Sequence, residues 1–405
     1  MNWKDYYSRY SIPGLGPLQK LMNILMLLCT PFTNDARVYN EARSLIDAGH
    51  KVTVIAFDYD QRNKEVENWD GISIYRLRSL RSVRSGFGWP IRHGILLMQW
   101  QLMAYAAAVK LHRISGFQAV HAHDFDSLVA GILIKKKLGI PLVYDVHEIY
   151  SYIVEGSFPC WIARIFALVE KILIRYTDYI VTVTEAVKRY LEGITNKPVT
   201  IVMNCKYIEV REYTPPDNDG NFKIIYLGLL DEWRNLRDLI HVVGNNNGVS
   251  CTIGGFGRPW FVNQIQELCS QYSNVNFVGL VPMQSVIPLT LRSDCVFYMI
   301  DPAHKYSQVA IGNKQFEAMA CGRPIICTKG TYAGEMAEQE NVGITAVYTE
   351  EGLYSAIMRL RNDPELRETL GRNGLELAIN KYNWPKQQEQ LLKIYGTIGL
   401  CKLTN

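Results

Sequence analysis

The stretch NKQFEAMACGRP, Asn313 to Pro324, reads as a loop entering a short helix, then a tight turn and a buried strand, Ile325-Ile326-Cys327. Glu317 stands four residues after Asn313 and three after Lys314, so one helix face presents all three side chains. Ala318, Met319 and Ala320 form a small apolar back for packing on a sheet. Cys321-Gly322-Arg323-Pro324 stops the helix, with glycine at the exit and proline just beyond. The lead-in Val309-Ala310-Ile311-Gly312 ends on a glycine that lets backbone N–H groups approach a ligand, and a helix N-terminus favours negative charge. An amide, a cation and a carboxylate at a helix start suit a ligand with both phosphates and hydroxyls. An ordinary amphipathic helix with a solvated Glu-Lys pair has the same spelling.

Apolar runs of strand length alternate with helical patterns on both sides of this stretch, which predicts parallel sheets built from βαβ units. Met22 to Cys29 is almost continuously apolar, as expected of a strand covered on both faces. Asn34 or Asp35 is placed to cap the following helix, which ends at Gly49 before a second strand, Lys51 to Phe57. Ala119 to Ala122, Pro141 to Asp145 and Tyr179 to Val183 read as further strands, with helices over Leu128 to Leu138 and Ile162 to Arg175. A second alternating block runs through Phe222 to Leu227, Val249 to Ile253, Val275 to Val278, Cys295 to Ile300 and Ile325 to Cys327. The polar, Pro/Gly-containing segment TPPDNDGN, residues 214–221, separates the blocks as a linker. The expected molecule is bilobal, with ligands in the cleft outside the carboxyl ends of the strands.

A chain of 405 residues with 48% hydrophobic and 20% charged residues can bury two such cores. The net charge of +4 is too mild to point to nucleic acid. Nine scattered cysteines without a CxxC pair favour buried thiols in a reducing compartment. The apolar runs are too short to span a bilayer, and the first 20 residues lack a signal-peptide pattern. A cytoplasmic protein is the expectation, with peripheral attachment at the inner face of the membrane as its extension.

The motif NKQFEAMACGRP resembles the nucleotide-sugar motif of retaining glycosyltransferases of family 4, in which Glu-x7-Glu leads into Ala-Met-Ala-x-Gly-x-Pro. Glu317 matches the second glutamate; Val309 stands where the first would be, and a branch of the family carries Asn-Lys-x-Phe-Glu, as here. The resemblance extends over nearly the whole chain, through Met22 to Phe57, HAHDFDSLVAG and VYDVHE between Val120 and Glu148, Phe222 to Leu239, and the closing helix after Asn383-Trp384. It implies an α/β protein of GT-B fold, two Rossmann-like doubly wound domains facing across a cleft. The expected divisions are an acceptor-binding domain over 1–213 (the first ~20 residues an extension), the 214–221 linker, a nucleotide-sugar domain over 222–380, and a helix in 381–405 crossing back.

The resemblance assigns Glu317 to the ribose hydroxyls of the donor. His147, at the carboxyl end of a buried strand, would touch the donor sugar or stabilise charge near the transferring carbon. A histidine merely satisfied by flanking Asp145 or Glu148 is the alternative. His121 and His123 alternate at a strand end, where either packing or cleft lining is open. The departing nucleoside diphosphate needs cations. Leu229 replaces the usual arginine, so Arg234, in GLLDEWRN, and Lys314 are expected at the diphosphate, beside Asn313. Gly255 and Gly257, in a glycine-rich turn, and Gly279 are expected at the donor. Asp35 and Arg37 are expected at the acceptor, although helix capping also explains Asp35.

No resident cofactor and no metal are expected, the nucleotide sugar being a co-substrate; Asp58-Tyr59-Asp60 and Asp124-Phe125-Asp126 read as loop residues. Arg76, Arg78, Arg81, Arg84 and Arg92, interleaved with Leu77, Leu80, Phe87 and Trp89, suit an anionic membrane or a pyrophosphate-bearing lipid acceptor. A solvated arginine face is the bland alternative. The implied activity is metal-independent transfer of a hexosyl group to a sugar or lipid-linked acceptor in envelope polysaccharide or glycolipid synthesis. Val309 and Leu229 leave room for a non-catalytic nucleotide-sugar scaffold, and the fold also admits an epimerase or hydrolase.

Overall fold

The computed structural model of the chain describes residues 21–33, 35–79, 89–155, 158–217 and 219–401, the backbone alone at 89–93 and 401. The first half runs β1 (Asn23–Leu28), α1 (Ala36–Asp47), β2 (Lys51–Asp58), β3 (Val66–Trp69), β4 (Ile72–Arg78), α2 (Trp89–Ser115), β5 (Ala119–His123) and α3 (Phe125–Leu138). It continues through β6 (Leu142–Val146), α4 (Tyr150–Glu155), α5 (Cys160–Leu173), β7 (Tyr179–Thr182), α6 (Glu185–Glu192) and β8 (Val199–Ile201). The second half runs β9 (Phe222–Leu230), α7 (Leu236–Gly244), β10 (Val249–Gly257), α8 (Pro259–Cys269), β11 (Val275–Gly279), α9 (Met283–Leu291) and β12 (Cys295–Tyr298). It ends with α10 (Asn313–Ala320), β13 (Ile325–Thr328), α11 (Tyr332–Gln339), β14 (Gly343–Ala346), α12 (Glu350–Asn362), α13 (Pro364–Asn380) and α14 (Trp384–Cys401).

The strands form two sheets, ordered β3-β4-β2-β1-β5-β6-β7-β8 and β11-β10-β9-β12-β13-β14. All neighbours pair in parallel apart from β3 and β4. Helices cover both faces, which is why β1 is buried along almost its whole length. Each sheet reverses its winding once, between β1 and β5 and between β9 and β12. Crossovers leave such a point to opposite faces, so a crevice opens at the carboxyl ends of the two strands there.

Local chemistry sets the elements that frame these crevices. Asp35 caps α1, its Oδ1 accepting from the Val38 N–H at 3.0 Å, and Val38, Tyr39, Ala42 and Leu45 bury the apolar stripe of that helix. The antiparallel pair β3–β4 is absent from the sequence reading, although Asp70 and Gly71 carry its signal. Both take positive φ, 50° and 88°, as a two-residue hairpin turn requires. The short strands β8 and β14 are likewise unread; three- and four-residue runs carry too little periodicity to register.

Helix α14 belongs to the first sheet in space. Trp384 is fully buried, its Nε1 donating to Ser44 Oγ at 2.9 Å, while Leu391, Tyr395 and Ile398 pack with Met26, Ala42 and Leu45. Removing an indole so enclosed costs about 3–5 kcal/mol. The segment at 214–221 lies between the sheets, and Arg323 Nη1 donates to the Thr214 carbonyl at 2.8 Å.

Arg76, the first of the arginine run, is not on the surface. Arg76 is 6% exposed; its guanidinium donates to the carbonyls of Pro31, Phe32 and Lys64 and pairs with Glu67 at 2.6 Å. It ties the loop after β1 to the hairpin. Arg78 pairs with Glu65 at 3.0 Å, and Arg81 and Arg84 lie outside the described residues. No described helix is long and apolar enough to cross a membrane.

Candidate active site

A cleft of about 540 Å³ lies between the two sheets, where the carboxyl ends of both winding reversals meet. From the second half it receives Gly228 after β9, Gly255 near the end of β10, Arg234, and the start of α10. The first half contributes Asp35, Arg37, Asp124, His147 and Glu148.

On the second-half wall two cations are held without counter-charges. Arg234 is 7% exposed, with its guanidinium 4.1 Å from the Trp233 ring and 5.5 Å from that of Tyr298. Lys314 is 8% exposed, with Nζ 4.4 Å from the centre of the Tyr226 ring. Among the described residues neither has an ion-pair partner within 4 Å, and Arg234 Nε has no hydrogen bond. Burial, then the neighbouring Arg234 charge, lowers the Lys314 pKa to about 7 against the opposing pull of Glu317. Aromatic faces ease the burial of both cations but supply no negative charge. An anion placed between them would.

Two glycines make room for this wall. Gly228, at φ 144°, lets Lys314 Nζ pass where a Cβ would come within 2.5 Å of it. Gly255, at φ 146°, crosses the backbone of Gly228 so closely that a Cβ would fall 1.7 Å from that carbonyl oxygen. Gly257 and Gly279 do not line the cleft. Gly257 is needed because a Cβ would meet the Leu230 carbonyl; Gly279, at φ 68°, ends β11 just before Leu280 and Val281, which do line it. Strand proximity accounts for Gly257 and turn geometry for Gly279.

Asn313, Lys314 and Glu317 all reach the cleft from the first turns of α10. Glu317 pairs with Lys206 Nζ at 3.0 Å. Lys206 lies in the segment after β8, and its carbonyl accepts from the Trp384 N–H at 2.9 Å. No sequence signal marks Lys206, because the pair spans the fold.

The first-half wall is a buried charge network. His147 has both ring nitrogens engaged: Nδ1 lies 3.0 Å from Asp124 Oδ2 and Nε2 2.8 Å from Asp145 Oδ2. Its backbone N–H also donates to Asp124 Oδ1 at 3.0 Å. Burial pushes the imidazole pKa down, yet Asp124 and Asp145 together hold it well above the ordinary value. A ring held by two carboxylates is a fixed imidazolium and has no lone pair for a substrate proton. Asp124, read from the sequence as a loop residue, is thus a partner of His147, and sits at φ 59° to reach it.

Arg37 lines the cleft edge, but its guanidinium is committed inward. It donates to Asp145 at 2.9 and 2.7 Å, to the Val202 carbonyl and to Asn204, and pairs with Glu41 at 3.0 Å. Arg37 thus holds Asp145, which holds His147. Asp35 keeps one carboxylate oxygen for its cap and also lines the cleft. His121 and His123 are fully buried behind it, stacked at 4.4 Å, with His121 Nδ1 2.8 Å from Tyr395 Oη. Glu41, unmarked in the sequence, joins them, and burial raises its pKa to about 8 against the pull of Arg37.

Glu41, His121, His123 and Asp145 offer donor atoms within 4.8 Å of one another, a spacing that suits a metal. However, Asp145 Oδ2 already lies within 3.2 Å of Arg37 Nε, His147 Nε2 and His123 Nδ1. The cation this carboxylate needs is Arg37. A divalent ion would have to displace that pairing and sit against a guanidinium.

Besides the Lys206–Glu317 pair, further contacts join the halves beside the cleft. Tyr306 Oη donates to Glu148 at 2.9 Å, Thr184 Oγ1 donates to the Val309 carbonyl at 3.0 Å, and Lys305 pairs with Glu155 at 2.8 Å.

Comparison with known proteins agrees with this architecture. Residues 36–205 match Glycosyltransferase Family 4, and residues 221–363 match Glycosyl transferases group 1. The chain is 24% identical over 306 residues to the glycosyltransferase MJ1178 of Methanocaldococcus jannaschii, covering 75% of this chain and 82% of that one. Sucrose-phosphate synthase from Thermosynechococcus elongatus superposes with a TM-score of 0.77 at 17% identity, over 94% of this chain and all of that one (100%). HepE from Anabaena, solved with UDP and glucose, gives 0.70 at 17% identity over 93% and 100%.

Proposed function

Because the chain belongs to glycosyltransferase family 4 and has the GT-B fold, we propose that it moves a hexosyl group from a nucleoside diphosphate sugar to an acceptor hydroxyl, with retention and without a metal. The observation that carries this reading is the pair of buried, uncompensated cations, Arg234 and Lys314, beside the Glu317 carboxylate. A diphosphate between the cations meets the charge they lack. Glu317, released from Lys206, accepts from ribose hydroxyls.

In the transfer, the bond from the anomeric carbon to the diphosphate oxygen breaks as the acceptor oxygen bonds to the same face of that carbon. The acceptor proton passes to the departing phosphate oxygen, and Arg234 and Lys314 stabilise the charge left on the diphosphate. His147 acts through its fixed charge and ring position. Flexing at 214–221 would close the cleft and exclude water. The acceptor is a sugar or lipid-linked hydroxyl in envelope polysaccharide or glycolipid synthesis, with the protein in the cytoplasm against the inner membrane face. The UDP complex of HepE supports trying uridine donors first.

The test is a thermal-shift and calorimetric screen of nucleoside diphosphate sugars with EDTA present, followed by transfer assays with the donor found. Stabilisation by one donor, and sugar transfer that His147→Ala lowers by about 10²–10³ without loss of donor binding, is the expected result. Binding without any turnover would turn the reading towards a scaffold, and turnover without an acceptor towards a hydrolase or epimerase.

A further inference from the structure

Helix α5 is inside out for the surface of a globular domain. Its one acid, Glu170, is 1% exposed and accepts from Tyr144 Oη at 2.9 Å. Burial raises the Glu170 pKa to about 7. Its outward face is apolar instead. Trp161 is 62% exposed, Ile165 51%, Leu168 59% and Ile172 46%, at positions i, i+4, i+7 and i+11 of one helical stripe. Surface helices ordinarily show the reverse, and a contiguous apolar patch of this kind marks a binding surface.

Charge identifies the occupant. Arg164 and Lys171 are exposed along one flank of the stripe, and Arg175 follows just past the helix end. Between Pro159 and Thr177 the buried Glu170 is the sole acid. From neighbouring α3, Lys136 stands over the exposed Tyr176 ring at 4.5 Å. A two-fold contact between copies would press these cations together. An anionic bilayer accepts both parts, taking the apolar stripe into its headgroup boundary and the cations against its phosphates. Fourteen residues are too few to span a bilayer but suffice to lie in its surface. Trp161, at the helix start, has the amphipathic ring that such interfaces favour.

We propose that the outward face of α5 docks the protein on an anionic phospholipid bilayer. The location fits a purpose. Helices α4 and α5 follow directly from His147 and Glu148, and Glu155 at the end of α4 pairs with Lys305 across the cleft. Docking there brings the His147 lip of the cleft to the membrane surface, where a lipid-linked acceptor would be met. Only that last step rests on the transferase reading.

The test is vesicle flotation of the full chain with phosphatidylcholine, with and without phosphatidylglycerol. The wild type floats with the anionic vesicles, and less so as salt is raised. The variant Trp161→Ser/Ile165→Ser/Leu168→Ser loses about tenfold or more of that binding, with circular dichroism and donor affinity unchanged. Arg164→Glu/Lys171→Glu loses the preference for anionic lipid. Three results overturn the proposal: a wild type that does not float, a triple variant that floats as the wild type does, or a wild-type dimer in light scattering that the triple variant converts to monomer. Donor calorimetry is run separately, so failure of the transferase reading leaves the flotation result intact.

Discussion

Raising the pH from about 7 to about 9 should weaken the binding of a nucleoside diphosphate sugar by about 50-fold, because Lys314 enters the empty cleft half discharged. Its pKa of about 7 is set by burial and by Arg234. A diphosphate between Lys314 and Arg234 reverses the second cause and returns the pKa towards its ordinary value near 10.4. Binding therefore takes up a proton. With a folded pKa lowered to about 7, affinity is fullest below that value and is lost as pH rises through it, by about tenfold, or 1.4 kcal/mol, per unit. At pH 9 on the order of one Lys314 in a hundred is charged, against half at pH 7, which gives about 2.3 kcal/mol between the two. Calorimetry in buffers of different ionisation enthalpy reads both the affinity and the proton uptake. The intact sugar nucleotide is the right probe, since a free nucleoside diphosphate titrates on its own terminal phosphate. Lys314→Met should bind at pH 7 more weakly than the wild type does even at pH 9, with no slope. A wild-type affinity that is flat over this range, or a Lys314→Met variant that keeps the slope, would refute the placement of the diphosphate.

Other consequences follow from the same contacts. Arg37→Met strands the Asp145 carboxylate in the interior and should cost about 3–5 kcal/mol in chemical denaturation, whereas Asp35→Ala loses one cap and about 1 kcal/mol. Glu317→Ala should weaken donor binding by about 1–3 kcal/mol; unchanged affinity would remove the ribose assignment. Gly255→Ala drives a methyl into the Gly228 carbonyl at a positive φ, and should lose more than about 3 kcal/mol of stability, read as a lowered Tm.

The amino-acid sequence by itself determined the fold class. Continuous apolar strand runs and period-3.6 helices are properties of consecutive residues, so runs such as Met22 to Cys29 and Phe222 to Leu227, alternating with helical patterns, announce parallel sheets without help from the fold. It also put Lys314, Glu317, Arg234 and His147 at strand ends and helix starts, because turn glycines and caps are local. It missed the hairpin at Asp70-Gly71, whose signal was present, and the shortest strands, whose signal is too brief.

What each charged side chain does was decided by tertiary structure alone. Arg76 and Arg37 look like solvent or ligand arginines in the sequence, yet one clamps loop carbonyls and the other neutralises Asp145. Lys206 meets Glu317 and Tyr395 meets His121 only after separate segments converge. The outward turn of the α5 stripe belongs with these. Helical spacing shows that Trp161, Ile165, Leu168 and Ile172 share a face; only the Glu170–Tyr144 bond shows that this face points away from the core. Periodicity fixes which residues share a face, whereas the free energy of burying a charge, and hence its role, depends on partners brought close by the whole chain.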